Sequence, residues 1–597
     1  MNFRPHRSLP AWELLGSQPF ATAGLDATQR DQIIISAQSG DDGTEHVLSR
    51  YGDAIWDLRP YMEQPGLSED QKFIRWPQDC PPAMVADCKA VLYAWAKSGR
   101  PGKAPPHWVT VKGVAIASCI PLMRWLQRLG LQHFDQVQQL HINNYQYHCK
   151  AERRLSPWGV FSRLQFLDLL WAFKSEALYP LTANPWRTSS LVAVAGIVGT
   201  VFDRETSAGG VSKTPIIPRD VQAAIFRYCE AVIQNAAAAF DSRDRCDCKP
   251  WDSELLAIRN AAMYLVSITT GMRNDEVLGL ENDACRMETV KGVAYRWVRS
   301  IEHKTKKGSV EYLCPELTFD ALAILQRFAG PLQQKLELEI QVLQAAASTV
   351  EHRARLAKAR ADRHRLFLGV VQKKHNRVQV LTNASCVGMF ERLAQSAGTD
   401  WKLAPHQTRR TYARMFVESR MGRVALIFLK EQFKHSSMSM TQLYASNPQQ
   451  DRALFDEILV EMTAFKGELL ESWTGVAPLS GGAGRKMIEL RATPHADRKD
   501  LLVSAAEHIH IRATGHGWCL AQDEGCGGAG IYEATRCVDC KNAVIDENFS
   551  DTWLGIHEQQ RELLTLDDVG AAVHSRAKRE VTLAAKVLAD LGIKETP

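Results

Sequence analysis

Apolar residues in this chain recur mostly three and four positions apart, the spacing that puts one face of a helix against a core. From about residue 71 the pattern is sustained. Val111, Val114, Ala115, Cys119, Leu122, Trp125 and Leu126 predict a helix over Val109 to Leu129, and a second apolar helix is expected around Phe161 to Phe173. A more polar helix, His141 to Arg153, lies between them. Residues 1–70 mix Pro, Gly and short polar runs without such order and read as an arm or loosely built extension. Arg204 to Pro218 carries Gly209, Gly210, Pro215 and Pro218 and reads as a linker. Helices return over Val221 to Ala239 and Ser253 to Thr269.

The pattern then turns β-like. Val293 to Ile301 and Val310 to Cys314, separated by lysines and Gly308, predict a hairpin. Residues 331–365 have neither Pro nor Gly after Pro331 and predict one long solvated helix. The SGGAG run from Ser480 to Gly484 marks a further boundary. The expected fold class is mainly α with a small β-sheet (α+β), in four parts: 1–70, 71–205, 206–470 and 471–597.

A length of 597 residues is too great for one core, and 45% hydrophobic with 23% charged residues is the balance of an ordinary globular chain. The net charge of +5 permits a polyanionic partner without requiring one. No apolar leader opens the chain, and the longest stretch without charge or obvious breaks, Leu191 to Phe202, is 12 residues and holds two glycines, whereas a membrane span needs about 20. No membrane partner and a cytoplasmic location are therefore expected. Of the 14 cysteines, ten are scattered or paired closely at Cys246 and Cys248, which suits buried thiols.

Several short stretches carry candidate chemistry. In TTGMRNDEVLGL (Thr269 to Leu280) a helix should end at Gly271, placing Arg273 at a loop-to-helix junction where its fork could hold two oxygens of one phosphate, restrained by Glu276. In EHKTKKG (Glu302 to Gly308) a lysine on a tight turn could serve as a point charge or proton donor. In APHQTRRTYARMF (Ala404 to Phe416), Pro405 fits a first helical turn, and His406 and Arg409 share one face while Arg410 points elsewhere. In FKHSSMSMTQLYAS (Phe433 to Ser446), His435 precedes cap candidates Ser436 and Ser437, with Tyr444 nine residues on. Taken singly, each has a bland reading: a surface arginine, a solvated turn, a chance HxxR, a packed tyrosine. Residues 401–450 hold eight Lys and Arg against two acids, Glu418 and Glu431, the footprint of a phosphate-backbone binder.

Together, Arg…Lys…His-x-x-Arg…His…Tyr in this order resembles the catalytic set of the tyrosine recombinases (phage integrases). The resemblance covers 206–470 well and 71–205 moderately, as that family's helical core-binding domain. It implies that Tyr444 attacks the scissile phosphate to give a 3′-phosphotyrosyl link, that Arg273 and Arg409 clamp the non-bridging oxygens, and that His435 adds a hydrogen bond. It further implies that Lys304 protonates the leaving 5′-oxygen, that His406 helps accept the tyrosine proton, and that no cofactor, ATP or catalytic metal takes part. Double-stranded DNA, a homo-tetramer on DNA and accessory recombinase subunits are the implied partners. The chain departs from the family in having Lys434 before His435 and Arg410 after Arg409, and Lys306 and Lys307 rival Lys304.

Cys519, Cys526, Cys537 and Cys540 follow C-x6-C-x10-C-x2-C with glycines between, a spacing that suits a structural Zn²⁺, with His516 or His557 as substitutes for a thiol. Similar tails on some transposon-encoded recombinases point to a mobile-element enzyme. A type IB topoisomerase and a non-catalytic DNA-binding subunit are the rival readings.

Overall fold

The computed structural model describes residues 11–39, 44–197, 214–245, 252–290, 293–302, 308–345, 349–421, 452–491, 505–506, 508–521, 534–566 and 570–593. Two hydrophobic cores organise them, one drawn from Ala11 to Ile197 and the other from Ile217 to Leu591.

Over the described residues 11–39 and 44–70, the first core replaces the expected loose arm with packed structure. Strands β1 (Ile34–Ser39) and β2 (Glu45–Arg50) form one antiparallel ribbon, and β3 (Ile55–Asp57) and β4 (Phe73–Arg75) a second. Trp56, fully buried on β3, meets Trp76 edge-on at 5.1 Å and Trp108 at 6.3 Å. Lys89, from helix α1 (Pro82–Ser98), donates to the carbonyls of Tyr51 and Asp53 at 2.9 Å each, closing the turn after β2. Three scattered tryptophans and a buried lysine thus bind this segment to the helices. None of them has a periodicity that could be read from sequence.

Helix α2 (Trp108–Arg128) passes through one π turn at Ala115–Cys119 and buries the expected Val111, Val114, Ala115, Cys119, Leu122 and Leu126. By length and composition it is apolar enough to cross a membrane, yet its apolar stripe is spent on this core. Helix α3 (Gln139–Tyr147) and helix α4 (Pro157–Ala172), capped by the Ser156 hydroxyl, complete the unit.

In the second core, helix α5 (Arg219–Gln234) packs on α6 (Ser253–Thr270), which is buried almost all round, as its dense Ala, Leu, Ile and Met content requires. Gly271 ends α6 in the left-handed region, φ +68°, and the short helix α7 (Asn274–Leu278) starts three residues later. The predicted hairpin exists as β6 (Val293–Glu302) and β7 (Gly308–Leu313), with β5 (Cys285–Val290) adding an unforeseen third strand in the order β5-β6-β7.

The single solvated helix expected over 331–365 is instead a packed pair. Helix α8 (Glu316–Ala345) runs through Pro331 and buries Leu332, Leu336 and Ile340. Helix α9 (Val350–Asp362) returns against it, capped by Thr349, with Arg355 donating from Nε to Glu339 Oε1 at 2.7 Å. Strands β8 (Leu368–Val371) and β9 (Arg377–Val380) form a short ribbon beside α8 and α9. Helices α10 (Asn383–Ser396), α11 (Pro405–Met421) and α12 (Arg452–Thr474) follow.

The C-terminal residues belong to this second core. A three-stranded sheet, β10 (Arg512–Ala513), β11 (Trp518–Cys519) and β12 (Ala543–Val544), packs with helices α13 (Ser550–Leu564) and α14 (Ala571–Asp590). Its anchor is Asp546, which is buried and accepts from the indole N–H groups of Trp473 at 2.9 Å and Trp518 at 2.8 Å.

Candidate active site

Arg273 stands at the N-cap of α7, directly after the Gly271 turn. Its backbone N–H donates to Glu276 Oε2 at 2.6 Å and its Nη1 to Glu276 Oε1 at 3.0 Å, so one carboxylate fixes both the turn and the guanidinium. Glu276 is 2% exposed and also accepts from the Tyr312 phenol at 2.8 Å. Its backbone carbonyl takes the Ser300 hydroxyl at 2.7 Å, tying α7 to β6. Burial pushes the Glu276 carboxyl above its ordinary value, against the pull of the Arg273 hydrogen bond and charge.

Arg409 projects from α11, whose start is held by Gln407: the Oε1 of Gln407 accepts from the Ala404 N–H and the Trp401 indole at 3.1 Å each. Arg409 Nη1 donates to the Gly271 carbonyl at 2.7 Å, linking the two arginine-bearing segments through the turn that ends α6. Tyr412, one turn on, packs so closely over Gly271 that an added Cβ would lie 2.5 Å from its ring.

The two guanidinium groups meet on a single side chain. Glu457, from α12, accepts from Arg409 Nε on Oε2 at 2.5 Å and from Arg273 Nη2 on Oε1 at 3.4 Å. Burial would lower the Arg409 pKa, but the Glu457 hydrogen bond and charge outweigh it and hold the guanidinium firmly protonated.

His406 shares the α11 face of Arg409 one turn earlier and is exposed. The nearby Asp275 carboxyl is raised by burial, with the Asn383 hydrogen bond and the field of His406 opposing. Asn383 Nδ2 donates to Asp275 Oδ1 at 3.0 Å, and the Asn383 N–H reaches the Gly66 carbonyl at 2.8 Å, so the N-terminal segment touches the rim of the site. Lys304, with its rivals Lys306 and Lys307, and His435 and Tyr444 lie outside the described residues. The structure therefore brings together Arg273, Arg409 and, at the edge, His406.

Sequence reasoning missed Tyr312 and Glu457. Tyr312 sits on β7, where Val310 to Leu313 are all buried, so no alternation singled it out. Glu457 is one acid among several on a helix, with no local signal. It also corrects the charge argument. Arg409, Arg410 and Arg414 supply much of the basic excess counted over 401–450, yet each pairs with an acid just beyond that window: Glu457 at 2.5 Å, Glu461 at 2.9 Å and Glu468 at 2.6 Å. Arg410 also donates to the Thr214 carbonyl.

A basic cleft of about 770 Å³ lies on the helical unit, where Arg75, Lys112, Arg124, Arg128, Arg153 and Arg163 surround Trp125 and Tyr145. In the C-terminal sheet Cys537 Sγ stands 3.2 Å from His516 Nε2, while the Cys519 thiol faces Arg512 Nη2 at 3.9 Å. Cys526 lies outside the described residues, and among those described no three His, Cys, Asp or Glu side chains gather as a metal site. The four-thiolate arrangement expected from spacing is thus not assembled by Cys519, Cys537 and Cys540.

Residues 248–451 match the phage integrase family, a span that takes in Arg273, His406 and Arg409. Among solved structures, XerH site-specific recombinase bound to a palindromic difH substrate, in a post-cleavage complex, aligns at 14% identity over 60% of this chain and 79% of that one, with a TM-score of 0.32. The pre-cleavage complex of XerH with difH aligns at 14% identity over 61% and 86%, TM-score 0.29. XerA recombinase aligns at 13% identity over 58% and 90%, TM-score 0.19. No curated protein matches the sequence. The family match, and not these distant structural likenesses, is what bears on the site.

Proposed function

We propose that this chain is a site-specific recombinase that cuts and rejoins double-stranded DNA through Tyr444. The observation that carries the reading is the convergence of Arg273 and Arg409 on one two-oxygen anion inside the span that matches the phage integrase family. Two forks so placed suit the non-bridging oxygens of one phosphodiester and the charge that grows on them in the transition state.

In this reading the Tyr444 oxygen attacks phosphorus as its proton passes toward His406. The P–O5′ bond breaks, the leaving 5′-oxygen takes a proton from Lys304, and a 3′-phosphotyrosyl link remains. His435 adds a hydrogen bond to the same phosphate. That link keeps the energy of the broken bond, so the strand is rejoined without ATP, and no step uses a catalytic metal. The basic cleft on the helical unit supports a second contact with the DNA backbone, its arginines spaced around two aromatic rings. A tetramer on DNA, accessory subunits, a mobile-element role and a cytoplasmic location complete the reading by resemblance.

A nicked suicide duplex carrying the element's own ends should trap the chain as a covalent adduct on a denaturing gel. Efficient relaxation of any supercoiled plasmid without recombinant products would favour a type IB topoisomerase. Site-specific binding with no adduct would favour a non-catalytic subunit. A structural zinc in the C-terminal region is a separate part of the proposal, supported by the Cys537–His516 pair. Metal analysis should find stoichiometric zinc that Cys537→Ser loses together with thermal stability. A zinc-free folded chain removes it.

A further inference from the structure

We propose that Glu457 is an internal occupant of the phosphate seat, a carboxylate that holds Arg273 and Arg409 in clamp geometry until a DNA phosphate displaces it. The proposal rests on the reading of those arginines as a phosphate clamp. A phosphodiester carries one negative charge on two non-bridging oxygens, and so does a carboxylate. Glu457 spends one oxygen on each guanidinium, Oε2 at 2.5 Å from Arg409 Nε and Oε1 at 3.4 Å from Arg273 Nη2.

Burial separates the fixed parts of this contact from the removable one. The Arg409 side chain is 9% exposed, and a buried guanidinium needs a counter-charge whether or not DNA is bound. Glu276, 2% exposed and held by Tyr312 as well as Arg273, is a permanent orienter. Glu457 is 45% exposed, so it is already partly hydrated, and swinging out completes its hydration in exchange for the two ion pairs. It also lies near the start of α12, where a helix opens most readily. The next contacts along α12, Glu461 with Arg410 and Glu468 with Arg414, keep the helix in register on α11 while the first turns give way. The site is then kept assembled without DNA, and an incoming phosphate exchanges one anion for another of equal charge.

The test uses thermal melting of the full chain in inorganic phosphate against chloride of matched ionic strength. Wild type should show little response, because its seat is filled. Glu457→Gln should melt lower in chloride and recover by several degrees in phosphate, as expected when an anion binds only the folded state. That recovery should vanish in Glu457→Gln combined with Arg409→Gln. Glu461→Gln, which loses an ion pair outside the seat, should gain no phosphate response. A Glu457→Gln chain no more responsive than Glu461→Gln, or a wild type equally responsive, overturns the proposal. If Glu457→Gln does not fold, Glu457→Asp, too short to span both arginines, should show the same recovery, and its absence counts equally against the idea. Because this readout needs no cleavage, it can fail while the Tyr444 adduct forms, or hold while no adduct is seen.

Discussion

The phenol of Tyr312 donates to Oε2 of Glu276 at 2.8 Å, joining strand β7 to the helix that presents Arg273. Tyr312 is 1% exposed and holds the carboxylate that holds the arginine. Tyr312→Phe leaves a buried carboxylate oxygen short of one donor, a loss of about 1–3 kcal/mol. Adduct formation should fall on the order of tenfold to a hundredfold as Arg273 loses its fixed position. Stability and adduct rate measured together check this. Unchanged rate in a destabilised protein would make Tyr312 purely structural.

The Gly271 turn bears on both arginines. Its φ of +68° and the Tyr412 ring, 2.5 Å from where a Cβ would stand, leave no room for a side chain, while its carbonyl receives Arg409. Gly271→Ala should destabilise the chain by about 1–3 kcal/mol and depress adduct formation further than the stability loss explains. Chemical denaturation and the rate at saturating DNA separate the two effects.

Glu276 gives a pH signature. Its carboxyl is raised by burial above the ordinary 4.5, so the folded chain holds this proton to higher pH than the unfolded chain does. Folding is then favoured most below the ordinary value, and the advantage fades as pH rises to the folded value, beyond which it is constant. Compared with Glu276→Gln, wild type should lose relative stability over that interval and not above it. Parallel melts across the acidic range would show it, and an opposite slope would mean that Arg273 outweighs burial.

Much of this was legible in the sequence where local pattern decides the outcome. The α2 stripe, the Gly271 turn, the Arg273 N-cap and the Pro405 helix start follow from spacing and cap chemistry. What was not legible depends on contacts between distant segments. Trp56, Trp76 and Trp108 build a core from a stretch with no period, and Leu332, Leu336 and Ile340 find a partner in α9 that composition alone leaves solvated. Glu457 meets Arg273 only in three dimensions, so counting charges within 401–450 took three paired arginines as part of a basic surface.

Asp546 should hold the C-terminal sheet to α12. Asp546→Ala leaves two buried indole N–H groups without their acceptor and should cost about 2–5 kcal/mol, read by denaturation and by early proteolysis after residue 479.

The bond that Tyr444 makes decides whether this chain cuts and rejoins DNA. The most direct measurement is peptide mapping, by mass spectrometry, of the adduct trapped on a nicked suicide duplex. A nucleotide should be carried by the peptide containing Tyr444, and Tyr444→Phe should give no adduct at full DNA binding. An adduct on another residue, or one that survives Tyr444→Phe undiminished, would contradict Tyr444 as the nucleophile.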